Sequence, residues 1–592
     1  MPLPMNVDNK PDTADQQLSL LGKVWHQRPA DPRQALTFAQ KFGVHDVLAQ
    51  LLSVRKIPIE DIETFLAPSL KHQLPDPSVL KDMGLGVSRL ITALQNDETI
   101  ALFGDYDVDG GTSVAVLFKF LQVYTDKLLV HIPDRQKEGY GPNEQAIRSL
   151  QEKGAGLIIF MDCGTTAFDP LACLEELALD AIIIDHHKAE AKLPKVTALI
   201  NPNRLDESVD TTTQLGHLAA VGLTFLFVVA VNRAMRQTDI YKEFDLMGLL
   251  DLVALGTVCD VVSLHGLNRA YVAQGLKVIK QTQNLGIQML MQVAGITVIK
   301  STYDFGFVLG PRLNAGGRLG QSDLAFKLLT TNDRGSAFEM ASILDQNNQK
   351  RRALEKDIVQ QAINQVQDYD SPLLVAHGDG WHPGVIGIAA SRLQNKFYKP
   401  ALVVAFEGDV GKGSGRSIKG LDLGAHILAA HQAGLLINGG GHEMAVGFSV
   451  HKDKFQDFQN FLQKRLAKEP VMFGVGQLSI DAALALDHLS LDLVGEVGKL
   501  APFGQGHKRP LFMLSGVRCS YSKIVGQDHI ACTLESDTKK SVQAISFGTV
   551  GTDLGKALQD KTKRLDVVGT IQIDTWQGNS KLKFYLEDAR FS

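Results

Sequence analysis

Five short apolar runs, 99–103, 128–132, 157–161, 181–184 and 198–200, alternate with amphipathic stretches, and this alternation constrains the fold more than any other feature. Runs of this length are strand-sized, and their near-continuous apolarity means burial on both faces. The stretches between, such as 113–124 and 143–153, carry helical spacing. The second ends at Gly154, a residue suited to the left-handed turn that closes a helix. Such strand–helix alternation builds a parallel, doubly wound sheet, which binds ligands beyond the carboxyl ends of its strands.

Those ends are where the chemistry sits. The first run leads into Gly104-Asp105-Tyr106-Asp107-Val108-Asp109-Gly110, the third into Met161-Asp162-Cys163-Gly164 and the fourth into Asp185-His186-His187. A further acid, Asp260, follows the apolar stretch 252–258. Carboxylates crowded at one sheet edge raise each other's pKa unless cations neutralise them. A donor set of carboxylate oxygens with one or two imidazoles and no thiolate suits Mg2+ or Mn2+, the imidazole favouring Mn2+, with Zn2+ a poorer match. Asp-x-Asp-x-Asp-Gly also opens calcium-binding EF-hand loops. Here the twelfth position, which must be Glu, is Val116, and a strand precedes the loop. Taken singly, Asp162 reads as a turn residue and the histidines as core residues; three strand ends of one sheet so furnished exceed what capping requires.

The remainder of the chain narrows the classes. With 592 residues, 44% of them apolar and 21% charged, the sequence suits several globular domains and excludes wholesale disorder. Five cysteines without C-x-x-C spacing argue against a disulfide framework or a zinc knuckle. The acidic start resembles no signal or transit peptide, and the longest apolar run, 218–231, falls short of the roughly 20 residues a bilayer needs. A cytoplasmic protein without membrane attachment is expected. The net charge of −5 gives no global attraction for nucleic acid. A local one exists between 391 and 420, where Arg392, Lys396, Lys399, Lys412, Arg416 and Lys419 face only Glu407 and Asp409.

The expected organisation is a helical segment over 1–75, an α/β domain over 76–270, a helical connector over 271–370, a second, Gly-rich α/β domain over 371–465 and a small β-barrel over 466–592. The polar helical stretch 335–367 lies in the connector. In the second α/β domain, Gly439, Gly440 and Gly441 offer successive N–H groups as an anion nest beside His442, and Ser414 with Arg416 offers a forked phosphate clamp.

The motifs around Asp105, Asp162, Asp185-His186-His187 and Asp260 resemble those of the DHH phosphoesterases. The likeness continues through Phe65-Leu66-Ala67-Pro68-Ser69-Leu70, Pro133-Asp134-Arg135 with Glu138-Gly139-Tyr140-Gly141, and Pro311-Arg312-Leu313-Asn314-Ala315-Gly316-Gly317-Arg318. It extends to His382-Pro383-Gly384-Val385-Ile386-Gly387, Gly413-Ser414-Gly415-Arg416-Ser417, Gly439-Gly440-Gly441-His442 and Pro502-Phe503-Gly504-Gln505-Gly506, spanning roughly 60–592. Short DHH phosphoesterases share the acidic motifs and the Gly-Gly-His but lack the long connector and the barrel, so the likeness is to the long members that degrade single-stranded DNA. Gly317 stands where these more often have alanine, and His507 where asparagine is common.

The resemblance implies an α/β fold class: a DHH parallel-sheet domain, a long helical connector, a second α/β DHH-associated domain and a C-terminal OB-like β-barrel. It implies two divalent cations, Mn2+ or Mg2+, held by Asp107, Asp109, Asp162, His186 and Asp260, with Asp162 between them. Asp105 is then a ligand or an acceptor behind the ligands, and His187 faces the scissile phosphate or orients His186. Arg135, Tyr140, Arg312, Asn314, Arg318, Ser414, Arg416, Gly440, Gly441 and His442 fall in motifs expected to hold substrate, Arg312 and Arg318 at the 5′-terminal phosphate. On the barrel, Trp576, Phe584 and Tyr585 are candidates for stacking on bases. The implied activity is stepwise 5′-to-3′ hydrolysis of single-stranded DNA to 5′-mononucleotides in recombination and repair. A monomer is expected, with a helicase and a single-strand-binding protein as partners. A dinucleotide phosphodiesterase would use the same metals without needing connector or barrel; a non-catalytic strand binder would have lost ligands that are all present here.

Overall fold

The structure is a computed structural model and describes residues 17–134, 138–368, 370–471, 473–576 and 579–592. The five apolar runs become strands Thr99–Gly104, Leu128–His131, Ala155–Met161, Asp180–Ile184 and Ala198–Ile200 of one parallel sheet. Leu128–His131 and Ala155–Met161 flank Thr99–Gly104, and the strand order therefore reverses beside that first strand. Such a reversal opens a crevice at the carboxyl edge.

Side chains on one face of the sheet, among them Leu102, Ile159 and Ile182, join a large core with helices Val108–Leu121, Ala220–Met235 and Leu250–Cys259. Those on the other face, among them Phe103, Phe160 and Ile183, pack under helix Glu144–Glu152. Burial on both faces is why the runs are apolar throughout and do not alternate. Ala220–Met235 is the helix expected from the long apolar run, and it lies inside this core. Among the described residues no single helix is long and apolar enough to cross a membrane.

The connector ends in a 33-residue helix, Arg334–Val366. It is less solvated than its polarity suggests: Ala337, Ala341 and Leu344 are buried against the first domain, and Ile358, Ala362 and Val366 against the second. The second domain is a mixed five-stranded sheet in which Leu374–Asp379 pairs in parallel with Ala401–Glu407. The remaining pairings, through Val410–Arg416 and Ala445–His451 to the edge strand Asn438–His442, are antiparallel.

The C-terminal strands Phe512–Val525, His529–Glu535, Ser541–Ser546, Asn579–Phe591 and Arg564–Trp576 pair in that cyclic order, the last with the first, and so close a five-stranded barrel. The leading segment was expected to be helical, but it also supplies a strand, Lys23–Gln27, in parallel register with Gly476–Ile480. Its helices bury Phe38, Leu48, Leu51 and Leu52 in the core that contains Phe512, Leu514 and Leu565 of the barrel. At about 1.5–3 kcal/mol per fully buried side chain, this apolar contact makes the segment part of the barrel unit.

Candidate metal centre

Each site residue is positioned by a local rule. Asp107 caps helix Val108–Leu121, its carboxylate accepting the N–H groups of Asp109 at 2.8 Å and Gly110 at 3.1 Å. The turn is tight enough that a Cβ on Gly110 would enter the main chain of Asp105, hence the glycine. Asp109, fully buried, accepts N–H groups from Ala220 (2.7 Å) and Val221 (2.8 Å) at the start of helix Ala220–Met235, where the helix dipole is positive. Asp162 stands at φ +62, a left-handed conformation that costs a non-glycine residue about 1–3 kcal/mol. The bend turns its carboxylate toward His186, with Oδ1 3.2 Å from Nε2. Asp260, at the C-terminus of helix Leu250–Cys259, places Oδ2 3.8 Å from the same nitrogen.

Three overlapping sets of ligand atoms lie within 4.8 Å of one another: Asp105, Asp107 and Asp162; Asp162, His186 and His187; and Asp109, His186 and Asp260. They share Asp162 and His186, the arrangement of two adjacent cation sites. Burial, together with the neighbouring carboxylates, raises Asp162 well above the usual carboxylate range and pushes Asp109 up to about 7 and Asp260 up to about 9. Among the described residues, nothing donates a hydrogen bond to the buried Oδ1 of Asp162 or Oδ2 of Asp260. Burial and the neighbouring His187 keep His186 below its ordinary pKa, so it is neutral, and it also bonds the Leu218 main chain, as metal-binding imidazoles commonly do. Unsatisfied acids around a neutral imidazole fit divalent cations of the Mg2+ or Mn2+ type.

His187 is set apart by its partner. Asp185, only 1% exposed, takes the N–H groups of His186 (2.8 Å), His187 (3.2 Å) and Thr165 (3.0 Å), and the His187 Nδ1 at 2.7 Å. Burial on its own would lower the His187 pKa, but the bond to Asp185 and its charge outweigh it and raise the value. The imidazolium so favoured donates Nδ1–H to Asp185 and Nε2–H to the Tyr140 hydroxyl, 3.1 Å away. Two residues that the motif reading passed over steady the pair: Asn201 donates to the His187 carbonyl (2.8 Å) and Asn203 to that of His186 (2.6 Å). Their signal was present, since Asn201-Pro202-Asn203 directly follows the fifth apolar run.

Around this centre the expected substrate residues separate into groups. A cavity of 240 Å³ is lined by Tyr106, Asp107, Cys259, Asp260, Asn314 and Arg318. Tyr106 and Arg318 also line a cavity of 720 Å³ that reaches Tyr140, His382, Ser414 and Arg416 in the second domain. Cys259, Asn314 and Arg318 also line a third, of 770 Å³, walled by Tyr303, Phe307, Arg351, Lys508 and Arg509. The smallest shares lining residues with each of the other two and carries Asp107 and Asp260 on its own wall, so the three are adjacent with the acids at the middle one. Arg312 is turned away, bonded to Asp345 of the long helix at 2.8 Å and to the Val308 carbonyl. Gly440, Gly441 and His442 do not form a nest; they lie on the exposed edge strand, paired in register with Gly447, Val446 and Ala445. Arg135 falls outside the described residues, as does the side chain of Trp576. Phe584 is core, whereas Tyr585 stacks beside the exposed Phe547. At Gly317 a Cβ would come within 2.9 Å of the Tyr106 carbonyl, which accounts for glycine there.

Comparison with known proteins agrees with this architecture. The DHH family N-terminal domain matches residues 99–257, the DHHA1 domain 370–468 and the RecJ OB domain 480–588. The single-stranded-DNA-specific exonuclease RecJ of Haemophilus influenzae is 30% identical over 94% of this chain and 98% of its own length. The chain belongs to the RecJ family. RecJ of Bacillus subtilis is likewise 30% identical, over 96% of this chain and 71% of its own. The crystal structure of RecJ in complex with Mn2+ from Thermus thermophilus superposes with a TM-score of 0.80 at 26% identity, covering 96% of this chain and 79% of that one. The Mg2+ complex of the same RecJ gives a TM-score of 0.73 at 25% identity, covering 96% and 78%. The DHH, DHHA1 and OB units of RecJ are thus the parallel-sheet domain, the mixed-sheet domain and the barrel described above.

Proposed function

We propose that this protein hydrolyses single-stranded DNA stepwise from the 5′ end, releasing 5′-mononucleotides, in recombination and repair, using two divalent cations, Mn2+ or Mg2+. The observation that carries the reading is a row of adjacent cavities: a set of buried acids and a neutral imidazole lies between a basic clamp on one side and an aromatic and cationic channel on the other. Asp107, Asp109, Asp162, His186 and Asp260 would hold the cations, with Asp105 completing the set beside Asp107 and Asp162. Bound there, the cations supply an acidified water and charge neutralisation for an in-line displacement at phosphorus.

The protein's own groups do the rest. His187, favoured as an imidazolium by Asp185 and held by Tyr140, offers positive charge and a proton toward a phosphate at the centre. Ser414 and Arg416, whose Nη1 and Oγ lie 3.3 Å apart, offer a clamp for the 5′-terminal phosphate, with Arg318 between clamp and acids. A terminal phosphate anchored there fixes the direction of attack. A helicase that frees single strands and a single-strand-binding protein are the partners such an activity requires, and the chain acts as a monomer.

End-labelled single strand, duplex and RNA, incubated with and without Mn2+, test this reading. Mononucleotide release from the 5′ end of single-stranded DNA alone is expected, and equal cutting of duplex would overturn it. In the double variant Asp107→Ala with Asp162→Ala, hydrolysis should vanish while strand binding, read by fluorescence anisotropy, persists; retained hydrolysis would refute the site.

A further inference from the structure

One buried cation lies outside the metal centre and outside the groove, and nothing in the proposed chemistry uses it. Arg269, on helix Gly266–Val278, is 1% exposed. Among the described residues it pairs with no carboxylate. Its guanidinium donates to five carbonyl contacts: Phe65 twice (3.2 and 3.1 Å), Leu500 (2.8 Å), Ala501 (2.8 Å) and Pro502 (3.0 Å). It also lies 4.2 Å over the Phe65 ring. Phe65 belongs to the short helix Ile62–Leu66, and residues 500 and 501 follow helix Leu491–Gly498, so the cation sits where two helices present unsatisfied carbonyls and negative dipole ends. A planar fork reaches all four carbonyls at once, Nη2 alone contacting three of them, a span that a lysine ammonium does not match.

The clasped carbonyls open the segment 502–509, which forms one wall of the 770 Å³ channel through Phe503, Gly504, Gln505, Lys508 and Arg509. The same segment is held from two further sides. Arg55, from the leading helices, donates to the Lys508 carbonyl at 2.8 Å and to His507 Nδ1 at 2.8 Å. Burial, Arg55 and Arg269 hold His507 down to about 3, so its ring is neutral: Nδ1 accepts from Arg55, and Nε2–H donates to the Leu500 carbonyl. Leu264 N–H bonds the Gln505 carbonyl. Outward from this anchor, His507 stacks on Phe503 (5.6 Å, 11°), and Arg509 lies 4.5 Å over the other ring. The column runs from half-buried Arg55 to groove-lining Arg509, and among the described residues none of its members is a carboxylate.

We infer that Arg269 is a positioning residue for the strand-binding wall: by clasping residues 65 and 500–502 it fixes segment 502–509, and with it Lys508 and Arg509, against the channel. The inference rests on the reading that a single strand occupies the groove. Arg269 then governs affinity for strands long enough to reach the channel and leaves chemistry at the acids untouched. Arg55 acts on the same wall from the opposite side.

The test compares a strand of about 20 nucleotides, longer than typical single-strand sites of about 4–16, with a 5′-phosphorylated dinucleotide, both with Mn2+. Arg269→Lys and, independently, Arg55→Gln should raise KM for the long strand about tenfold, a loss of about 1.4 kcal/mol, with kcat within about twofold and dinucleotide turnover unchanged. Combined with Arg509→Ala, each should show less than additive loss, because both act through one wall. Arg55→Gln, at a half-exposed helix end, keeps the test valid if Arg269→Lys does not fold, which a thermal melt reports. Wild-type KM for the long strand in folded variants overturns the inference, and so does an equal fall in dinucleotide and long-strand rates, which would place the damage at the acids. Failure of the unaltered protein to degrade any single strand instead refutes the exonuclease reading, a separate result.

Discussion

Replacing Asp185 by asparagine isolates the one acid of the centre that belongs to no cation set. One oxygen serves His186 N–H, His187 N–H and His187 Nδ1, and the other accepts the Thr165 N–H at 3.0 Å, with the Thr165 side chain also hydrogen-bonded to the carboxylate. An amide can keep its oxygen toward the histidines, but its NH2 then faces the Thr165 N–H. That opposed donor pair costs about 1–3 kcal/mol, and reducing a charged bond to a neutral one costs about 1 kcal/mol more. A loss of about 2–4 kcal/mol follows. The part borne by His187, the charged bond made neutral at about 1 kcal/mol, corresponds to a fall of about fivefold in kcat/KM at 1.4 kcal/mol per decade. The wild-type His187 pKa is raised above its unfolded value, so the Asp185 contribution is complete below about 6.5 and is lost as pH rises through the raised value. In the variant His187 should titrate lower, which NMR of its ring protons reads, and the alkaline limb of the rate profile should shift to lower pH. A variant with wild-type kcat/KM and an unmoved His187 titration would refute this assignment.

Further outcomes follow from the same geometry. Asp109 and Asp260 are raised by burial and neighbouring carboxylates, so above about pH 6.5, where the neutral buried His186 and His507 no longer oppose them, the metal-free native state binds more protons than the unfolded chain up to about pH 9. Its thermal midpoint should therefore fall as pH rises across that window, and saturating Mn2+ should flatten the dependence; a rising midpoint without metal would contradict the electrostatics. Arg416→Ala should reduce the preference for 5′-phosphorylated over 5′-hydroxyl ends by about tenfold or more, as loss of a charge-assisted clamp worth about 1.5–3 kcal/mol requires, measured by competition between the two ends. Gly256→Ala should destabilise by about 1–3 kcal/mol through overpacking, because its Cβ would collide with Thr112 and Val221 beside Asp109; calorimetry reads the shift.

What the sequence discloses here follows the range of the interaction that decides each feature. The parallel sheet was legible because each strand is a buried apolar run, and the acids because they terminate those runs within a few residues. Asp162, a turn residue when taken singly, stood out only beside the other furnished strand ends, and its left-handed backbone could not be read. The glycines at 439–441 suggested a nest, but ladder pairing with residues 445–449 drew them into an extended edge, a choice made by the neighbouring strand. Arg312 resembled a substrate contact until Asp345, far along the chain, was placed beside it. The leading segment looked merely helical and polar because the surface that buries Leu48, Leu51 and Leu52 lies at the opposite end of the chain. The channel wall was invisible for the same reason: Tyr303, Arg351 and Arg509 become neighbours only in three dimensions.

The 33-residue helix Arg334–Val366 is about 50 Å long and is fixed to both α/β units, through Ala337, Ala341 and Leu344 in the core of the first and through Gln361, which accepts from Trp381 of the second. A strut welded at both ends holds the jaws at a set spacing and leaves them little room to swing apart over the middle of a polymer. The filament must be fed in tip first, like thread through a needle's eye. A covalently closed circle has no tip to offer.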